Sequence, residues 1–296
     1  MNRFVTRAMI AGLIFGATFG GMRIRRAAAD GAEHVPLEAE KALQGALEKS
    51  DKVAAGKLLD ANFVWTDVNG KAHKQPDVVS NLKAYAEDNQ GESDVQTHFY
   101  GQVETVAGEH HGARFLRVWV KRPAGWREFL ALDTAMPSKA ATFGGQRSAG
   151  QGDCENPCRT VPYKPVTAMD KAILAEWQKT KMEEWKPDAA DWPNHIADEF
   201  LIINSTSVRN KADRVVIAQQ QQKAGMGTPG DPITAMEIHD FGDRSAVMIS
   251  HHTPYRGGKP YYNVRVWTLR DGRWQLAISQ QTTIQSATAL TATVAK

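Results

Sequence analysis

The sequence predicts an α+β protein built from two tandem copies of one domain, each running helices first and an antiparallel sheet last. Two observations predict it: a repeat shared by the two halves, and a change from helical to strand-like patterning within each half. Arg117-Val118-Trp119, Trp126 and Thr134 recur as Arg265-Val266-Trp267, Trp274 and Thr282 at a constant offset of 148. Upstream, His98, Gly101, Val106, His110 and His111 recur as His239, Gly242, Val247, His251 and His252 at an offset of 141. Earlier still, Phe63, Lys74, Val78 and Val79 recur as Phe200, Lys211, Val215 and Val216 at 137. The offset grows by four and then by seven, which places extra residues in two loops of the second copy, 223–232 and 254–260. Insertions confined to loops are what a duplicated fold shows.

The elements follow in order. Leu43, Ala46 and Leu47 stand at helical spacing, and their counterparts are Ile173, Leu174, Trp177 and Met182. Thr167 with Asp170 three residues on reads as a capping box at the start of that second helix. A short helical segment ends near Phe63 or Phe200, and an extended stretch follows, Phe63-Val64-Trp65-Thr66 or Phe200-Leu201-Ile202-Ile203. The third helix opens near Pro76 in the first copy and at Asn210 with Asp213 in the second. Strands fill the remainder. The runs 264–269 and 274–279 flank Arg270-Asp271-Gly272-Arg273, whose Asp-Gly is a strong hairpin signal.

The N-terminus carries a different message. Arg3 and Arg7 precede an uncharged apolar stretch, 8–22, and Ala27-Ala28-Ala29 then offers a small-residue cleavage site. The expectation is a signal peptide over 1–29 and a periplasmic or secreted protein. Arg23, Arg25 and Arg26, just after the apolar core, oppose translocation and keep two alternatives open: an uncleaved membrane anchor, or a cytoplasmic protein starting at Met22. The net charge of +3 comes from 36 basic and 33 acidic residues, and five of the basic ones lie in 1–29, where there is no acid. The rest therefore balances at 31 against 33, and no nucleic-acid-binding surface is expected. Cys154 and Cys158 are the only cysteines, too few for a zinc site and spaced one residue too far for the usual redox motif. A local disulfide turned by Asn156-Pro157 is expected, within a flexible linker over 137–166. The tail 286–296 is expected to fray.

The three-helix start, Phe-Leu-Ile-Ile-Asn-Ser before a helix, Arg-Val-Trp-Thr-Leu-Arg-Asp-Gly-Arg-Trp-Gln-Leu and the terminal Ser279-Gln280-Gln281-Thr282 together resemble the nuclear transport factor 2-like superfamily. That group includes ketosteroid isomerase, the SnoaL-like cyclases and many bacterial domains of unknown function. The resemblance covers 37–136 and 167–285. It implies two cones, each a strongly curved sheet wrapped around helices with an internal pocket, joined as an intrachain pseudo-dimer. Further pairing of chains is left open.

The resemblance also places an Asp base just after the first strand, where Asp67 stands and where the second copy has Asn204. A Tyr from the first helix and an acid near Leu116-Arg117 or Val264-Arg265, which the isomerase would need, are missing. Arg117 and Arg265 each lie two residues before a Trp, so Arg and Trp share a strand face and suit an anionic, partly apolar ligand. The competing reading of each Arg is an ion pair. The candidate ligand-binding residues are Trp65, His98, Arg117 and Trp119, with Asn204, His239, Arg265 and Trp267 in the second copy. His110-His111 and His251-His252 read as core or interface histidines, since no metal-ligand spacing accompanies them. No cofactor, metal or membrane span after processing is expected. The reading is an exported protein that binds a small molecule in its cones. The alternatives are a cofactor-free isomerase, cyclase or dehydratase with Asp67 as base, and an interaction module whose cones are filled.

Overall fold

The computed structural model describes residues 25–26, 36–137, 147–148, 150, 152–242, 244–253 and 259–285. The expected signal segment 1–29, apart from Arg25–Arg26, and the expected tail 286–296 lie outside the described residues. Among the described residues, no helix is long and apolar enough to cross a membrane.

The first half opens with α1 (Pro36–Glu48) and α2 (Lys52–Leu58), the latter capped by the Asp51 carboxylate on two backbone N–H groups. β1 (Leu59–Thr66) turns into the short β2 (Ala72–Lys74), followed by α3 (Gln75–Ser80) and α4 (Leu82–Asp88). The meander β3 (Ser93–Phe99), β4 (Val103–His110), β5 (Ala113–Arg122) and β6 (Gly125–Ala135) completes it. After the one-turn α5 (Glu155–Cys158), the second half repeats the plan. It runs through α6 (Ala168–Trp185), a 3-10 turn (Trp192–His195), β7 (Ile196–Ile203), β8 (Val208–Asn210) and α7 (Lys211–Lys223). It ends with β9 (Ile233–Asp240), β10 (Ser245–His252), β11 (Tyr261–Arg270) and β12 (Arg273–Thr283). The Thr167–Asp170 capping box and the Asn210–Asp213 start are both formed. Asp271 and Gly272, both at positive φ, make the tight turn of the last hairpin.

Each half forms a six-stranded sheet, in the order β3-β4-β5-β6-β1-β2 and β8-β7-β12-β11-β10-β9, with Arg25–Arg26 added beside β3. The expectation of a purely antiparallel sheet is corrected. β1 runs parallel to β6, and β7 parallel to β12, because the strand that leaves the helices joins the far side of the meander in the direction of its last strand. Both sheets carry a bulge at the same place: Phe129 lies between the pairs Val118–Leu130 and Trp119–Glu128, and Ala277 repeats it 148 residues later. Bulges sharpen strand twist, which helps the sheet bend around its helices.

The strand pleat sorts the interior. On β5, Phe115 and Trp119 face the helices and join Leu43, Leu47, Phe63 and Tyr85 in the first core. Leu116, Val118 and Val120 face away and meet Val264, Val266 and Ile278 in a core between the two sheets. The matched threonines touch each other there, Thr134 Oγ1 to Thr282 Oγ1 at 2.7 Å. Thr134 donates to the Gln281 carbonyl and Thr282 to the Asp133 carbonyl, so the contact is reciprocal, as a two-fold interface requires. In place of a free spacer, the described end of the linker is packed. The Cys154–Cys158 disulfide is formed, and both cysteines are buried with Trp185.

Candidate functional site

A cavity of about 230 Å³ lies inside the second half. Its walls come from α6 (Trp177, Lys181, Glu184), the 3-10 turn (Trp192), α7 (Arg214) and β11 (Tyr261, Asn263, Arg265). The loop Thr228–Asp231, part of the first insertion in the second copy, and Pro157 close it.

Arg265 is the charge in its wall. It is 3% exposed, and no carboxylate lies within ion-pair distance of it among the described residues. Its Nη1 donates to Ser250 Oγ at 2.7 Å, and its guanidinium carbon sits 5.3 Å from the centre of the Trp177 ring. Burial pushes its pKa down to about 10, with Tyr261 and Glu184 opposing, so it stays charged at neutral pH. Ser250 passes the bond on to His252 Nε2 at 2.9 Å, and His252 Nδ1 faces the Asp231 carbonyl at 3.1 Å. With a neutral imidazole, His252 Nδ1–H donates to the Asp231 carbonyl and Nε2 accepts from Ser250, which itself accepts from Arg265. Burial, then the Arg265 charge, hold His252 well below the usual histidine range, in agreement with that neutral form. Tyr261 donates to Asp231 Oδ2 at 3.1 Å. Lys181 and Glu184 pair at 2.6 Å, with Arg214 3.5 Å from the same carboxylate. The indole nitrogens of Trp177 and Trp192 and Nε of Arg214 are buried without a hydrogen-bond partner among the described residues.

The first half uses the matched space differently. Arg117 is held by Glu40 at 3.0 Å, by Glu92 at 2.5 Å and by the Asn89 side chain. Tyr85 donates to Glu128 at 2.8 Å, and Trp65 Nε1 donates to Asp133, whose other oxygen meets His110 at 2.9 Å. The interior thus holds a polar network around Arg117 and Asp133, although Glu128 Oε2 and His110 Nδ1 find no hydrogen-bond partner among the described residues. The residues matched to Glu128 and Asp133 are Leu276 and Gln281, both in the wall of the second-half cavity.

Of the candidate ligand-binding residues, only Arg265 lines the cavity; His252, expected as a core or interface histidine, lines it as well. Trp267 shares its face, as strand alternation requires, but is enclosed in the core, as is Trp119 in the first half. The indole beside Arg265 is instead Trp177, delivered by α6. Trp65 and Arg117 belong to the first-half network. Asp67 sits in the β1–β2 turn, where its Oδ1 accepts from Asn69 and Lys71 backbone N–H groups and its Oδ2 meets His73 at 3.0 Å. Asn204 does the same work in the β7–β8 turn through Thr206 and Ser207. His98 lies on the outer strand β3 against Tyr100, and His239 packs on Phe129 between the sheets. Trp177 was legible as an apolar helical position. Nothing in its spacing said that its ring would meet Arg265.

No family model matches the chain, and no curated protein matches it. Solved structures similar to it include an NTF2-like protein from Cytophaga hutchinsonii, 19% identical, covering 34% of this chain and 96% of that one, with a TM-score of 0.29. An NTF2-like protein of unknown function from Shewanella oneidensis is 10% identical over 38% of this chain and 97% of its own, with a TM-score of 0.31. One from Rhodospirillum rubrum, described as of unknown function in nutrient uptake, is 19% identical over 34% and 98%, with a TM-score of 0.27.

Proposed function

We propose that the second domain binds a small organic monoanion, a carboxylate on an apolar or aromatic body, within its cone. The observation that carries this is Arg265: a buried guanidinium in a cavity wall, stacked on Trp177, with no carboxylate partner among the described residues where Arg117 has two. A buried charge is costly unless something pairs with it. The other charges of the wall cancel, Lys181 and Arg214 against Glu184 and Asp231. An apolar cavity of about 150 Å³ holds benzene, so the volume here suits a benzoate-sized ligand. The experiment is calorimetric titration of the mature chain with benzoate and hexanoate, against benzamide and hexanamide as neutral counterparts. Binding of an acid but not of its amide, abolished in Arg265→Met, supports the reading. Equal binding of acid and amide, or binding that Arg265→Met leaves intact, sinks it.

The same proposal places the protein outside the cytoplasm, on the strength of the N-terminal segment together with the Cys154–Cys158 disulfide. Mass spectrometry of the chain from its host should give a mature form starting at Asp30 and two hydrogens light. A mass that includes Met1 with two free thiols would reject export.

A further inference from the structure

Three carboxylates converge on His195 at the end of α6: Glu176 and Glu183 from that helix, and Asp191 from the loop that follows it. His195 is 1% exposed. Its Nδ1 bonds the Glu176 carboxylate. Its Nε2 lies 3.3 Å from Glu183 Oε1 and 3.6 Å from Asp191 Oδ2 and makes no hydrogen bond among the described residues. Glu183 Oε2 is also buried without a partner. With the Nδ1 proton given to Glu176, Nε2 presents a lone pair to two carboxylates. Such a convergence calls for a cation in its midst. Lys179 supplies one charge, 2.8 Å from Asp191 and 3.8 Å from Glu183. Three carboxylates less one ammonium leave a local balance of −2 when the imidazole is neutral.

We propose that His195, Glu183 and Asp191 form a site for a divalent transition-metal ion, with Glu176 orienting the imidazole from behind. The donor atoms all lie within 4.8 Å of one another. A tetrahedral centre with bonds of about 2.1 Å separates its ligand atoms by roughly 3.4 Å, and the two distances from Nε2 bracket that value. One imidazole and two carboxylates suit Zn²⁺ or Mn²⁺. The Asp191 side chain is 38% exposed, which leaves an entry path, and Lys179, half exposed, can withdraw as the metal takes its place. The ion would also fix the 3-10 turn that carries Trp192 into the cavity wall.

The test is titration of the chelator-stripped full chain with Zn²⁺ and, separately, Mn²⁺, followed by calorimetry and by the visible absorption of the Co²⁺-substituted protein. One ion per chain is expected, with Co²⁺ bands of a four-coordinate nitrogen–oxygen site. Asp191→Asn and Glu183→Gln should abolish both signals, and Glu176→Gln should weaken binding by about 10–100-fold. Asp191, partly exposed in a loop, keeps the test independent of core folding, and circular dichroism verifies that each variant folds. Failure to take up either metal, or uptake that Asp191→Asn and Glu183→Gln leave unchanged, overturns the proposal and makes the cluster an ion-pair network around a charged His195.

Discussion

Arg117 and Arg265 occupy the same position of the two domains and are both buried, yet they differ in what surrounds them. Glu40 and Glu92 clamp Arg117, so removing its charge strands two carboxylates in a largely buried site. Arg117→Met should therefore cost about 3–5 kcal/mol in urea unfolding. Arg265→Met removes a buried charge that has no carboxylate beside it, so in the ligand-free protein it should leave stability unchanged or raise it. A large loss in Arg265→Met would mean that an unseen partner satisfies it. Glu128 gives a second residue-scale prediction. Burial pushes its carboxyl up to about 8, with the Arg117 charge and the Tyr85 hydroxyl opposing. The folded state then keeps a proton that the unfolded chain releases from about pH 4.5 upward, so this group lowers stability as pH rises to about 8 and adds no further change above that. Glu128→Gln still accepts from Tyr85 but cannot ionise. Its stability relative to the parent should rise between about pH 5 and 8 and then level off. A difference independent of pH would show that Glu128 does not hold its proton.

At the scale of elements, the segment around α5 is tied to the cavity rather than spacing two domains. Asn156 donates to the Ile233 carbonyl and accepts from the Ile233 N–H, both at 2.9 Å, which fixes the start of β9. Pro157 lies in the cavity wall, and a Cβ at Gly230 would meet its ring at 2.7 Å, so only glycine admits this approach. Two hydrogen bonds of about 1 kcal/mol each are at stake. Asn156→Ala should destabilise by about 1–3 kcal/mol and speed hydrogen exchange at 228–233, with exchange in the first sheet unchanged. Unaltered exchange at 228–233 would show that the clamp does not hold the loop. This is also where sequence reading stopped short. Helical spacing, caps and the Asp-Gly turn are local, so the order of helices and strands was legible from residues such as Thr167, Asn210 and Gly272. The parallel β1–β6 and β7–β12 pairs were not, because strand direction depends on a return path of many residues. Arg265 was found through the repeat. Its companions Trp177, Arg214 and Asp231 come from α6, α7 and an insertion, and only the rotation of those helices against the sheet decides which side chains face inward. The Glu176, Glu183, Asp191 and His195 cluster was hidden for a related reason: its donors follow no short spacing motif.

For the whole molecule, Thr134 and Thr282 touch each other, and each donates to the carbonyl just before the other, so the two halves meet at matched strand positions. The pairing is not wholly symmetric. Gln280 reaches across to the Arg114 and Leu132 carbonyls, whereas its counterpart in the first copy is Leu132 itself, which has no amide to return the bond. The interiors differ too: polar side chains of the first pair with one another around Arg117 and Asp133, and the second encloses a cavity. The two halves pack against each other mainly through the shared sheet face. Each half exposes that face if parted from the other: Leu116, Val118 and Leu130 on one side, Val264, Val266 and Ile278 on the other, all at most 3% exposed in the intact chain. A contiguous apolar face of this kind does not stay in water. Fragments 36–137 and 150–285, expressed together as separate chains, should therefore associate one to one. Fragment 36–137 alone should pair with itself through the same face or precipitate, since its surface already fits a near-copy of itself. Size-exclusion chromatography with native mass spectrometry distinguishes the outcomes. Two soluble monomers that ignore each other would show that the sheet interface contributes little, and that the second cone holds its cavity without help from the first.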